Sequence, residues 1–281
     1  MKKQSKFPVS IAILLALTGI LVIVALLIPY IRPIDLGATD LRSRLALPSI
    51  FGYSDSGHLF GCDYLGRDLG LRLLYATRTT VILAFVGLIL SGVLGIVLGV
   101  LAGVFGGVLD DIIMFLVNAR HAVPAVLIGI VFATIFGSTE MTMVLLTVFI
   151  QWTRFTKQAR ASIIQIKKES YIECSRAIGA SRLRIIWEHV LPNIASPLIV
   201  TTTLTLSSVI LFESTLSYLG LGIQPPNTSL GVMVSAGKDQ MITQWWQVIL
   251  PTAIIILITM TASLTGDWLR DRLDPKLRRK G

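Results

Sequence analysis

Apolar residues in this chain come in runs of roughly 20, the length that crosses a ~30 Å hydrocarbon core as a helix. Six spans are predicted: about Phe7 to Ile31, Thr79 to Phe105, Ile112 to Phe136, Thr139 to Trp152, Ile194 to Leu219 and Trp246 to Leu264. The period-2 alternation with regular turns that marks a transmembrane β-barrel is absent. The expected fold is an all-α polytopic membrane protein with six transmembrane helices. The first span is read as retained, because Val9 to Ile28 is too long for a signal-peptide core and no A-x-A site ends it.

The second span carries Gly87, Gly92, Gly95, Gly99 and Gly103 on much of one face, which lets a neighbouring helix backbone approach closely. Gly106 and Gly107 then turn the chain, and Asp110 and Asp111 complement the dipole at the next helix start. The fourth span is expected to continue as a helix towards Ser162.

The longest polar interruption runs from Glu169 to Pro192. It reads as two short helices. Gly179 supplies the positive φ at the break, and Ser181 caps the second helix. Leu183, Ile186, Trp187 and Val190 follow i, i+3, i+4, i+7, an apolar stripe. Leu191-Pro192 is expected to end this helix before the fifth span. A rigid elbow with one apolar face suits docking into a groove on a partner; lying on an anionic lipid surface is the alternative.

Only 15% of the 281 residues are charged, and the net charge is +9. The positive residues flank the spans, so they report topology and not nucleic-acid binding. Three Lys/Arg precede the first span, eight lie in 154–192 and six in the tail, against seven in the expected outer segments. Both termini are therefore expected in the cytoplasm. Cys62 and Cys174 then fall on opposite sides, which argues against an internal disulfide.

No phosphate loop G-x-x-x-x-G-K-[ST], G-x-S-x-G elbow, H-E-x-x-H or CxxC occurs. ATP hydrolysis by this chain, a catalytic site, a metal site and a cofactor are not expected, and a conduit is. Asn118, Arg120, His121 and Glu213 are polar groups inside spans and candidates for the pathway wall. Arg120 could instead snorkel to the headgroups, and Glu213 could be buried and paired or sit protonated.

The interruption resembles the E-A-A-x3-G-x9-I-x-L-P loop of ABC importer permeases. Here it reads Glu173-Cys174-Ser175, Gly179 and Leu191-Pro192, with His189 at the Ile position. HLFGCDYLGRD at 58–68 resembles the H-x-L-G-T-D-x-x-G-R-D signature of the dipeptide/oligopeptide/nickel branch. ESTLSYLGLGIQPPNTSLG and GDWLRDRLDPKLR resemble two further segments of that branch, in family order. One region departs: Phe115 and Asn118 stand where the family has Arg and Asp, and Arg120 and His121 where it is apolar.

The resemblance implies a type I, MetI-like transmembrane domain. Residues 1–78 would form a first helix plus external segment, 79–268 the permease core with a cytoplasmic coupling loop at 154–192, and 269–281 a basic tail. It implies a homologous second permease, two cytoplasmic ABC ATPase subunits, an external solute-binding protein and membrane lipid as partners. The pathway would lie between the two permeases in the bacterial cytoplasmic membrane. Glu169, Glu173, Ala177, Gly179, Ser181, Leu183, Trp187, Leu191 and Pro192 would couple to an ATPase. Peptide import is the expected function, with nickel or a metal chelate as the rival substrate. An ion-coupled transporter or channel acting alone, and an assembly subunit without a pathway, are the readings from other classes.

Overall fold

The computed structural model describes residues 8–52 and 57–273, and the backbone alone at positions 51, 176, 182 and 183. Lys2, Lys3, Lys6, the end of the basic tail and the Leu183 side chain, all used in the sequence reading, lie outside what is described.

Among the described residues the chain is helical. The first helix, α1, spans Val9–Ile31 and is apolar on nearly all sides, with most of its surface exposed, as a lipid-facing helix requires. A polar segment with two 3-10 turns leads to α2, Leu69–Phe105. The Asp68 carboxylate accepts the Leu71 N–H at 2.8 Å and caps this helix, so it starts well before the expected Thr79. Its 37 residues extend about 55 Å at 1.5 Å per residue. The first turns carry Arg72, which the sequence pattern reads as loop, because the polar segment before α2 covers it: Arg72 is buried against Asp63.

The expected third span is two helices, α3 (Gly107–Ala122) and α4 (Ala125–Phe136), meeting at 88°. Pro124 causes the break. It lacks an N–H and forces Val123 into extended backbone, φ −99° and ψ 126°. Next, α5 covers Glu140–Ile166, capped by the Thr139 hydroxyl, which accepts the Thr142 N–H at 3.1 Å. Two short helices, α6 (Ser170–Ala177) and α7 (Arg182–Ile185), lead through a π-turn, Ile186–Val190, into α8, Leu191–Tyr218. A short helix, α9 (Leu230–Gly237), interrupts the following loop, and α10 runs from Trp246 to Leu273.

Among the described residues, four helical stretches can cross a membrane by length and composition: α1, α2, α8 with its π-turn, and α10. The bent α3–α4 pair makes a fifth. The fourth of the expected spans, α5, is not among them, since Gln151, Arg154, Lys157 and Arg160 follow its apolar first half. Yet α5 is an inner helix, with Phe155, Thr156, Ala159 and Ile163 at or near zero exposure.

The most extensive helix pair is α2 with α5. The glycine face of α2 makes it possible. A Cβ at Gly99 would stand 2.6 Å from the Ala159 Cβ and 2.7 Å from the Thr156 carbonyl, and one at Gly95 would fall on the Trp152 carbonyl. Without side chains on α2 there, the two backbones close together. Helices α8 and α10 form the second large pair, and a core of Leu73, Val81, Val209, Ile210, Trp246 and Ile255 joins them to α2.

Candidate functional site

The interruption between α5 and α8 folds as an elbow. Helix α6 is closed off just past its end by Gly179, φ +85°, where the Ala180 N–H reaches back to the Ser175 carbonyl at 3.0 Å. That six-to-one bond needs a left-handed residue at the turn, and glycine adopts it without strain. Ser181 then caps α7, accepting the Arg184 N–H at 3.3 Å.

The expected stop at Leu191-Pro192 is not there. The Leu191 N–H bonds to the Ile186 carbonyl, five residues back, and the π-turn feeds α8 without a gap. Pro192 sits in the first turn of α8, where a missing N–H costs little. The elbow is thus one continuous lever with α8.

The expected apolar stripe is divided by the structure. Val190 is buried and Ile186 half-buried, while Trp187 is 70% exposed. Val190, with Ile172 of α6 and Ile185 of α7, joins Phe155, Ala159 and Ile163 of α5 and Ile194 and Leu198 of α8 in one cluster. On the open side stand Ile178, 86% exposed, Trp187 and the exposed carboxylates Glu169 and Glu173, together with Ala177, Ser181 and Pro192; Leu191 is half-buried. Burial, with the Glu169 carboxylate nearby, pushes the Tyr171 phenol up.

Three polar ties brace this end of the bundle, and none was read from the sequence. Asp110 of α3 accepts two bonds from Arg160 of α5, at 2.5 and 2.6 Å. Lys167 Nζ donates to the Gly103 and Val104 carbonyls, each at 2.9 Å, and closes the end of α2. Ser175 Oγ donates to the Tyr171 carbonyl at 2.8 Å and accepts from His189 Nε2 at 3.2 Å. Ser175 and His189 both depart from the family pattern, and their shared departure was the one available signal of contact. A recess of about 460 Å³ separates the elbow from the end of α2, lined by Val104, Phe105, Lys167, Ala180, Ile185 and Ile186.

The four in-span polar candidates do not form one site. Arg120 Nη1 donates to His121 Nδ1 at 3.3 Å, and across from them on α5 Arg154 Nη1 donates to Ser208 Oγ of α8 at 2.9 Å. Asn118 and His121 are exposed and Arg120 is half-buried. Glu213 is only 2% exposed and lies elsewhere, in a cage of hydroxyls. Ser217 Oγ donates to its Oε1 at 2.7 Å, Ser214 lies at 3.5 Å, and Ser229 and Thr80 complete the cage. The Thr80 hydroxyl also accepts the Leu230 N–H at 3.1 Å, so this carboxyl sits where α2, α8 and α9 meet. Its geometry is that of a packed and satisfied group.

At the opposite end from the elbow, the 58–68 segment is organised by its acids. The Asp63 carboxylate accepts the Leu65 and Arg67 N–H groups at 2.9 and 3.0 Å and pairs with Arg67 Nε at 2.7 Å. Asp68 pairs with His58 Nδ1 at 2.7 Å while capping α2. Gly61 and Gly66 take positive φ where the chain doubles back on the Ala46 and Asp40 carbonyls. The residues of this signature therefore lock the segment onto the start of α2.

Residues 95–279 match the family described as binding-protein-dependent transport system inner membrane component. The di/tripeptide transport system permease protein DppC of Pseudomonas aeruginosa is 34% identical over 259 residues, 92% of this chain and 86% of that protein. The dipeptide transport system permease protein DppC of Haemophilus influenzae is 34% identical over 259 residues, 92% and 88% of the two chains. Among solved structures, a chain of the inward-facing MetNI methionine ABC transporter superposes with a TM-score of 0.59 at 18% identity, covering 72% of this chain and 96% of that one. That likeness shows the fold, a MetI-like transmembrane domain.

Proposed function

The chain belongs to the family of binding-protein-dependent transport system inner membrane components, and from that premise we propose that it conducts peptides through an ATP-driven importer. It is a permease component and not an enzyme. The peptide assignment is supported by relatives that carry di/tripeptide, dipeptide and oligopeptide transport in their names. In this reading six segments cross the cytoplasmic membrane, α5 being sheltered from lipid by its neighbours, and both termini face the cytoplasm. A homologous second permease completes the pathway, whose wall on this chain includes Asn118, Arg120 and His121. A binding protein delivers substrate at the end that carries the 58–68 segment and α9.

Two ATPase subunits work from the cytoplasm, one of them seated on the elbow. The observation that carries this reading is the shared cluster of the elbow with α5 and α8. Close-packed side chains transmit displacement instead of absorbing it. An ATPase gripping Glu169, Glu173, Ala177, Ser181 and Trp187 moves Ile172, Ile185 and Val190, and with them both long helices. Gly179 sets the elbow's angle, and Leu191 and Pro192 carry the motion into α8. A packed element with two discrete arrangements then alternates access to the pathway.

The test is uptake of a labelled dipeptide into proteoliposomes holding this chain, its second permease and both ATPases, with binding protein and ATP supplied. ATP-dependent accumulation that vanishes without the ATPases is expected. Uptake by this chain alone would refute the reading.

A further inference from the structure

Among the described residues the wall around Arg120 is cationic and lacks a counter-charge. The charges that act on His121 come from Lys157, Arg120 and Arg154. Among the described residues Arg120, Arg154 and Lys157 take part in no ion pair with a carboxylate. The buried Arg120 Nε has no hydrogen-bond partner there. Each guanidinium has five N–H donors, and one hydrogen bond per arginine, to His121 and to Ser208, leaves most of them open. Because a guanidinium cannot accept, His121 Nδ1 is the acceptor, and the neutral ring then carries its proton on Nε2, a further open donor.

Depth decides between lipid and pathway. The Asp110–Arg160 pair marks the elbow end of the bundle. Arg120 lies ten residues further along α3, ~15 Å at 1.5 Å per residue. With that pair at the level of the headgroups, Arg120 comes close to the middle of a ~30 Å core, too deep for a half-buried side chain to snorkel comfortably to headgroups. A charge there faces protein or water.

We propose that Arg120, His121 and Arg154 form an anion-receiving step on the pathway wall, whose ligand is the carboxylate of the passing peptide. This rests on the peptide-import reading. Every linear peptide with a free C-terminus brings such a group, ionised at neutral pH because α-carboxyls titrate near 3.3–3.7. A planar guanidinium edge matches a carboxylate with two parallel hydrogen bonds. Each arginine is already tethered, so neither has to be ordered by the ligand. A conduit also needs a site that holds weakly enough to release, and an exposed rim open to water meets that need.

The test uses the assembled transporter with Cys174→Ala, the residue the family carries there, and Asn118→Cys, one helical turn from His121. Modification by an anionic and by a cationic methanethiosulfonate reagent is timed in zwitterionic vesicles. Relative to each reagent's rate with a free thiol, the anionic reagent should react at least about tenfold faster, the enrichment a cleft of uniformly opposite charge produces. That ratio should fall towards one with Arg120→Gln and Arg154→Gln, and persist with the two lysine replacements. A free-acid tripeptide should slow modification while its C-terminal amide does not. Equal relative rates for both reagents before any arginine is replaced, or equal protection by acid and amide, would overturn the proposal. So would protection by phosphatidylglycerol vesicles without peptide, which would make a lipid headgroup the occupant. If the glutamine variants fail to assemble, the reagent ratio before replacement and the lysine variants still decide. Wild-type transporter that imports no peptide at all would instead sink the parent reading.

Discussion

A Cβ added at Gly179 would meet nothing within 4 Å, so the cost of a side chain there is conformational and not steric. Gly179→Ala should lower the elbow's local stability by about 1–2 kcal/mol, the left-handed penalty for an L-residue. Gly179→Pro, which cannot reach φ +85°, should abolish uptake while binding-protein capture stays intact; unchanged transport would remove the elbow from the coupling route. The two thiols make a second contrast. Burial, reinforced by Asp68, Asp63 and Asp40, pushes the Cys62 thiol up to about 11, whereas Cys174 is exposed. At pH 8 roughly one Cys62 in a thousand is thiolate, and the thiolate is the reactive form. Maleimide should modify Cys174 in the native protein and Cys62 only after denaturation, as mass spectrometry of the labelled peptides would show. The Gly179 turn was legible because one residue type tolerates that backbone. The Ser175–His189 contact was not, because fourteen residues and a turn separate its partners.

Between elements, the α2–α5 interface makes a graded prediction. Gly92 has its nearest heavy atom 3.7 Å from a Cβ position, while Gly99 has Ala159 and Thr156 at 2.6 and 2.7 Å. Gly92→Ala should therefore be neutral or gain up to ~1 kcal/mol of helix propensity. Gly99→Ala should lose about 1–3 kcal/mol through overpacking. Thermal unfolding in detergent, followed by size exclusion, separates the two; equal melting would mean that α2 and α5 are not held at this spacing. The glycine face was readable from its repeat, but its partner was not, since several helices could have filled it. The bend at Val123–Pro124 was missed for a related reason. Proline within an apolar run is compatible with a kinked single span or with two helices, and only packing chose the 88° angle. α5 shows the converse. Its polar second half looks unfit for lipid, and Gln151, Thr153, Thr156 and Ser162 are buried against protein instead.

For the whole molecule, sidedness is the expectation most open to measurement. A membrane-impermeant maleimide should label Cys174 in inverted vesicles and leave it untouched in intact cells. Labelling from outside would reverse the topology and with it the assignment of the elbow to the ATPases. Hydrophobic runs, positive flanks and four signature segments were enough, by themselves, to determine a helical membrane chain and its family. Those signals are local: run length is read against bilayer thickness, and motifs need no neighbours. What only the tertiary structure decided is which residues share a surface. It sent half of the elbow's apolar stripe inward, enclosed Glu213 among hydroxyls, and set Arg120 and His121 facing Arg154 across two helices. Those outcomes depend on contacts between residues far apart in the chain, and a hydrophobic period gives the face of a helix but not what that face will meet.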